Sequence, residues 1–349
     1  MPVVGLDLGS QNIKAVEIEE QKGKFVLKKV GSHSDPDLNL SSSEQKDWDK
    51  YAAALRKFFS ETGFSTPQVV IPLAENDVFL RVVKLPQMSE KELRSSITYE
   101  AEQYIPIPIK EVNFDIEILD KDPDDKDKMN VLMVAARKSV ISKYVYIMEK
   151  AGLSPKAIEP AALALGRVFA GTISGPGQAV IILQIGATDS QMVIESGGAV
   201  RFTRSINVGG ADLTKAVEQS LGFDTSQAEE YKKTYGLDSR QAEGKVAAAI
   251  KPVFERILGE VKRARIFYTT HNPSVMINRV VIGGGTALMP GLLFHVANHL
   301  DIEVELANPW RNIEFSRALE AQKDHIIEQG PTFVTAVGLA LRELKGQNG

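Results

Sequence analysis

The chain contains no cysteine, which excludes disulfide staples, zinc–thiolate sites and thiol catalysis together. It has no apolar run near the roughly 20 residues that span a bilayer. Its start, Met-Pro-Val-Val-Gly, lacks the basic segment and apolar stretch of a signal peptide. Nor is there a surplus of positive charge. Its 41 Lys and Arg stand against 45 Asp and Glu, a net charge of −4, whereas general nucleic-acid binding wants a basic face. These absences lead to the expectation of a soluble, cytoplasmic protein. The 349 residues, 43% hydrophobic and 25% charged, are ordinary for a globular chain and enough for two core-forming lobes.

The stretch Val3 to Ile18, VVGLDLGSQNIKAVEI, reads as two strands joined by a tight turn. Val4, Leu6 and Leu8 alternate with smaller or polar residues, and Val16 and Ile18 continue the alternation. Between them, Gly9-Ser10-Gln11-Asn12 closes the hairpin, and a turn with free backbone amides is an anion-binding nest. Asp7 and Lys14 flank it. The carboxylate suits a hydrated Mg²⁺ and the ammonium neutralises phosphate charge, which is what a nucleoside triphosphate needs.

A second copy follows at Ala179 to Glu195, AVIILQIGATDSQMVIE. Its turn is Gly186-Ala187-Thr188-Asp189, and in the overlay Gln184 falls on Asp7 and Gly186 on Gly9. Each copy continues through another turn (Lys22-Gly23, then Ser196-Gly197-Gly198) to a third strand (25–30, then 200–207) and an amphipathic helix. The second of these helices opens at Gly209-Gly210. Such duplication predicts two similar lobes facing one cleft.

Elsewhere, Trp48, Tyr51, Leu55, Phe58 and Phe59 recur at helical spacing up to Gly63. Residues 75–152 read as an inserted α/β unit of pattern strand–helix–strand–strand–helix, with a capping box at Ser89 and Glu92. Its linker DKDPDDKDK places Asp120, Asp122 and Asp124 at alternate positions. A calcium loop would then need Gly at Asp125 and Glu at Val131, so a solvated hairpin tip is the reading. Residues 171–178, GTISGPGQ, read as the crossover between lobes, and Ser226 with Glu229 as another capping box. A long helix follows from about 243 to 268, with Pro252 inside it. Arg279 to Ile282 is a strand ending in Gly283-Gly284-Gly285-Thr286, where bare backbone permits close approach of something flat or anionic. The last helix, 332–344, is amphipathic but lacks a basic cluster, so it is expected to pack on the body.

Two hairpin phosphate loops, a crossover and a strand ending in GGGT resemble the actin-like ATPase superfamily. DLGSQNIKA matches its first phosphate motif, Lys14 included, and Gly284 to Gly291, GGTALMPG, matches its adenosine motif. The resemblance implies an α/β actin-like fold of two duplicated lobes around a nucleotide cleft holding ATP and Mg²⁺. It places the metal at Asp7. It places the nucleotide at Gly9, Ser10, Gln11, Asn12, Lys14, Gly186, Ala187, Thr188, Gly209, Gly284, Gly285 and Thr286, with Met289 beside the base. AEEYKK (228–233) is similar to the superfamily's ribose and adenine helix, which would assign Glu229, Lys232 and Lys233.

The inserted unit resembles the extra subdomain of FtsA. YEAEQYIPIPI (99–109), GEVKRARIFY (259–268), ANPW (307–310) and AVGLALREL (336–344) narrow the resemblance, over nearly the whole chain, to the PilM family of type IV pilus assembly proteins. That implies an ATP-binding scaffold that holds the N-terminal cytoplasmic tail of PilN in a groove between the first subdomain and the inserted one. Strand 78–85 and helix 93–104 would line the groove. Further implied partners are PilO, the pilus platform and the motor ATPases, all reached at the inner membrane through protein contacts, with self-association left open. The implied division is 1–74, 153–177 and 330–349 for the first subdomain, 75–152 for the insertion, 178–222 and 276–329 for the second lobe, and 223–275 for a helical cover over the nucleotide.

One departure stands out. The superfamily's second loop usually begins with Asp, and here the position is Gln184. An amide orients water but accepts no proton, so ATP binding with slow or absent hydrolysis is expected. Two other readings fit the superfamily: an FtsA-like filament-forming scaffold, and a small-molecule kinase or phosphohydrolase.

Overall fold

The computed structural model describes residues 2–9, 12–35, 38–170 and 177–345. Strands β1 (Val3–Leu8), β2 (Asn12–Gln21) and β3 (Lys24–Ser34) come first, then α1 (Gln45–Thr62), β4 (Gln68–Leu73), β5 (Val78–Pro86), α2 (Glu90–Tyr104), β6 (Val112–Lys121) and β7 (Lys128–Arg137). There follow α3 (Lys138–Ala151), β8 (Ser154–Pro160), α4 (Ala161–Phe169), β9 (Gln178–Ile185), β10 (Ser190–Ser196) and β11 (Ala199–Ile206). Next are α5 (Gly210–Leu221), α6 (Thr225–Tyr235), α7 (Lys245–His271), β12 (Met276–Gly283) and α8 (Leu292–Leu300). β13 (Glu303–Leu306), β14 (Ile313–Phe315), α9 (Lys323–Glu328) and α10 (Val334–Lys345) complete the chain.

The strands form three sheets, ordered β14-β3-β2-β1-β4-β8, β11-β10-β9-β12-β13 and β5-β7-β6. In the two larger sheets an antiparallel three-strand meander is extended by parallel strands from its first member, β1 or β9. This is the duplication that the repeated hairpins predict. α10 lies on the first sheet, and Val16, Ile18, Ala336, Val337 and Ala340 share one core. α4 lies on the second, where Ala162 and Leu165 meet Val180, Ile182 and Val193. The two helices then meet each other. A Cβ on Gly338 would sit 2.0 Å from the Ala164 carbonyl oxygen, and one on Gly5 of β1 would sit 1.9 Å from that of Ala336. Neither position has room for a side chain, so α10 seats on β1 within the first lobe, and meets α4 of the second, through closely apposed backbone. Buried Glu159 pins the junction. Its carboxylate accepts two bonds from Arg167 of α4 (2.6 and 2.7 Å) and one from Arg342 of α10 (2.7 Å).

Several local details differ from the sequence reading. The box at the start of α6 is Asp224 with Gln227; Ser226 lies inside the helix and Glu229 bonds elsewhere. β8 escapes hydropathy reading because two prolines occupy its seven residues. β14 pairs in parallel with Phe25–Leu27 of β3, and Trp310, Ile313 and Ile326 join the first lobe's core. The first lobe thus includes a stretch that the sequence division gives to the second. α3 likewise buries Tyr144, Ile147, Met148 and Ala151 in the first lobe's core, together with Ala136 at the end of β7. Most of the crossover 171–178 lies outside the described residues. Among the described residues no helix is long and apolar enough to cross a membrane.

Candidate nucleotide-binding site

The two lobes enclose a cleft of about 1560 Å³. Both repeated turns open into it. Gly9 N–H donates to the Asn12 carbonyl at 3.1 Å, and Gly186 N–H donates to that of Asp189 at 2.9 Å. A Cβ would lie 2.5 Å from the Asn12 oxygen at Gly9 and 2.9 Å from the Asp189 oxygen at Gly186. The same tight turn is therefore built twice, each time with a glycine that a side chain would displace. Ser10 and Gln11 lie outside the described residues.

Asp7 and Lys14 are cross-strand neighbours in β1 and β2, and both line the cleft. Burial raises the Asp7 carboxyl above its ordinary 3.8, against the pull of Lys14. A partly desolvated carboxylate of this kind gains most from a cation. In the second hairpin the corresponding neighbours are Gln184 and Gln191, so the charged pair of one lobe is matched by a neutral amide pair in the other. Gln184 Oε1 is buried and has no hydrogen-bond partner among the described residues. Such an atom suits a site completed by a water or a ligand.

Ala187, Thr188, Gly284, Gly285, Thr286 and Met289 all line the same cleft. At Gly284, φ is +90°, and a Cβ would strike the Ile185 carbonyl at 2.2 Å. At Gly285 a Cβ would meet nothing within 4 Å, so its bare backbone borders open space. Gly209 does not reach the cleft wall. It lies behind the second turn, where a Cβ would meet the Ala187 carbonyl at 2.5 Å, and its N–H donates to Asp212 at 2.9 Å.

Glu229, Lys232 and Lys233 border the cleft together, and their bonding separates their roles. Lys232 is buried, and its ammonium donates to the Gly210 carbonyl (3.0 Å), the Thr214 hydroxyl (2.9 Å) and Glu229 (2.6 Å). Those three bonds match its three protons, so it ties α5 to α6. Burial lowers its pKa below the ordinary 10.5, opposed by Glu229. Burial works to raise the Glu229 carboxyl, but bonds from Lys232 and Thr214 hold it below 4.5. Lys233 pairs with Glu229 at 3.2 Å while staying 71% exposed, which makes it the accessible one of the two cations.

Two acidic residues of the cleft carry no sequence signal. Glu75 and Asp77 sit between β4 and β5, and burial raises both carboxyls. They lie in no motif and enter the site only because the turn after β4 faces the second lobe.

The arrangement is that of an actin-like ATPase fold. The solved structure of a PilM–PilN type IV pilus biogenesis complex matches at a TM-score of 0.84 and 26% identity, covering 98% of each chain. MreB 5 of Spiroplasma citri, solved with AMPPNP, matches at 0.53 and 12% identity over 99% of this chain and 97% of that one. Cell division protein FtsA of Bacillus subtilis is 21% identical, with 96% of this chain and 82% of that protein covered. The family model described as type IV pilus assembly protein PilM matches residues 5–344. The chain belongs to the PilM family.

Proposed function

We propose that the chain is a cytoplasmic ATP-binding scaffold of the type IV pilus inner-membrane assembly complex. It holds the N-terminal cytoplasmic tail of PilN and passes that attachment on to PilO, the platform and the motor ATPases. The observation carrying the nucleotide half is the pair of matching glycine turns whose residues line the same cleft, with Asp7 and Lys14 beside one of them. Family membership and the likeness to the PilM–PilN complex support the partner half.

In this reading Asp7 would hold Mg²⁺, Lys14 would neutralise phosphate, and the two turns would receive the triphosphate. Gly284, Gly285 and Thr286 approach the nucleoside, Met289 lies beside the base, and Lys233 with Glu229 reaches the ribose. The bound group would supply polyphosphate charge between the two turns. Gln184 accepts no proton, so hydrolysis is slow and the nucleotide acts structurally. Residues 223–275 cover the nucleotide. The inserted unit carries the peptide-binding face, even though Leu85, Leu93 and Ile97, expected to line the groove, belong to its own core.

Two titrations test this. Mg-ATP should raise the melting temperature, with about 2.7 kcal/mol of stabilisation at a hundredfold excess over Kd. A synthetic PilN-type N-terminal peptide should bind saturably. Indifference to Mg-ATP would remove the nucleotide half, and indifference to the peptide would remove the partner half.

A further inference from the structure

Glu75 stands on the part of the cleft wall contributed by the first lobe. Its carboxylate reaches across to the second lobe, accepting from Gln191 Nε2 at 2.6 Å and from the Thr203 side chain. Gln191 is largely buried and holds, in the second hairpin, the register position that Lys14 holds in the first. Three residues beyond Glu75 the chain enters β5. There Leu80 packs against the second lobe's aliphatic core, and the inserted sheet is tied to β11 by Arg201, which bonds Asp120 at 3.0 and 2.6 Å. The inserted unit thus grows out of the first lobe but leans on the second, and Glu75 is the point where that support touches the cleft.

We propose that Glu75 is a positioning residue that couples occupancy of the cleft to the inserted unit. A polyphosphate seated on the second turn engages the Gln191 amide and weakens its bond to Glu75, which loosens β5 from the second lobe. This rests on the reading that the cleft holds a nucleotide. The physical basis is a competition. Lys14 brings a positive charge to phosphate, whereas Gln191 brings only a neutral amide already committed to a carboxylate. Phosphate and carboxylate beside one amide are like charges in a poorly hydrated place, and they repel. By linkage, whatever binds the loosened inserted unit changes nucleotide affinity by the same factor.

Hydrogen exchange of residues 78–86 in the intact protein, with and without Mg-ATP and alongside a thermal-shift titration, tests the coupling. In the wild type, Mg-ATP should speed exchange roughly tenfold, the scale of losing one charge-assisted hydrogen bond. Glu75→Gln keeps a bonding side chain but removes the repulsion, so it should bind Mg-ATP with no change in exchange. Glu75→Ala should exchange fast with or without nucleotide. Wild-type exchange that ignores Mg-ATP while the thermal shift reports binding would overturn the coupling, as would Glu75→Gln responding like the wild type. If no thermal shift appears at all, the nucleotide reading fails and the coupling fails with it, an outcome told apart by the titration alone.

Discussion

Asp7 and Lys14 stand directly opposite one another across the first hairpin, one on each side of the turn that would hold phosphate. In the proposed reading they divide the charge work between them, Lys14 serving the anion and Asp7 the cation that accompanies it. Replacing Lys14 with Ala removes the phosphate-neutralising charge and leaves the core intact. The Mg-ATP thermal shift should shrink, and the nucleotide-free protein should itself melt somewhat lower near neutral pH, because Asp7 loses the positive charge that favours its ionised form. An unchanged shift would mean that Lys14 does not meet the ligand.

Asp7→Asn should act in two directions. Burial raises the folded carboxyl above 3.8. The stability attached to it is therefore full below that ordinary value and is lost as pH rises through the raised folded value. Above that window the ionised group is a liability that Asn removes. The nucleotide-free variant should melt higher, by roughly 2–4 °C for each kcal/mol recovered in a domain of 150–250 residues, while Mg²⁺-dependent nucleotide binding weakens. In the wild type that binding should strengthen as pH rises through the same window. A lower melting temperature for Asp7→Asn would show that the carboxylate is a structural anchor.

Gln184→Asp restores a carboxylate at the position where the first hairpin carries Asp7. Wild-type ATP turnover should lie far below the order of 10 per second of an ordinary enzyme, and the variant should hydrolyse faster. Phosphate release at saturating Mg-ATP measures both. Wild-type turnover at the ordinary rate would refute the role given to the amide.

Glu159→Ala should be severely destabilising, by roughly 3–5 kcal/mol, because it leaves Arg167 and Arg342 without their shared buried carboxylate. Denaturant unfolding reads this directly. Glu159→Gln keeps hydrogen-bond acceptance and should lose less. A near-neutral Glu159→Ala would show that the guanidiniums find other partners.

What the sequence discloses follows the strength of local signals. The hairpin at Asp7–Lys14, its copy at Gln184–Gln191 and the glycines after β12 are legible because a tight turn between alternating strands has few solutions. Gly63 caps α1 at φ +67° with its N–H on Phe59, as a glycine closing an amphipathic helix should. β8 and β14 were hidden, one by its prolines and the other by being only three residues long. Pairing with distant strands creates both. Glu75 was hidden for a related reason. It belongs to no repeat, and only the folded approach of β10 gives its carboxylate a partner. The committed bonds of Lys232 were equally out of reach, since Gly210 and Thr214 lie well before it in the chain.

The contact between α4 and α10 has a mechanical consequence. At Gly338 no side chain stands between the helices, and the pins at Glu159 are gathered at one spot. Halves that bear on bare backbone at this spot meet little side-chain interlock there, so the bonds that cross farther out, Glu75 with Gln191 and Asp120 with Arg201, carry more of the restraint on their swivel. Their angle then answers to whatever fills the gap between them.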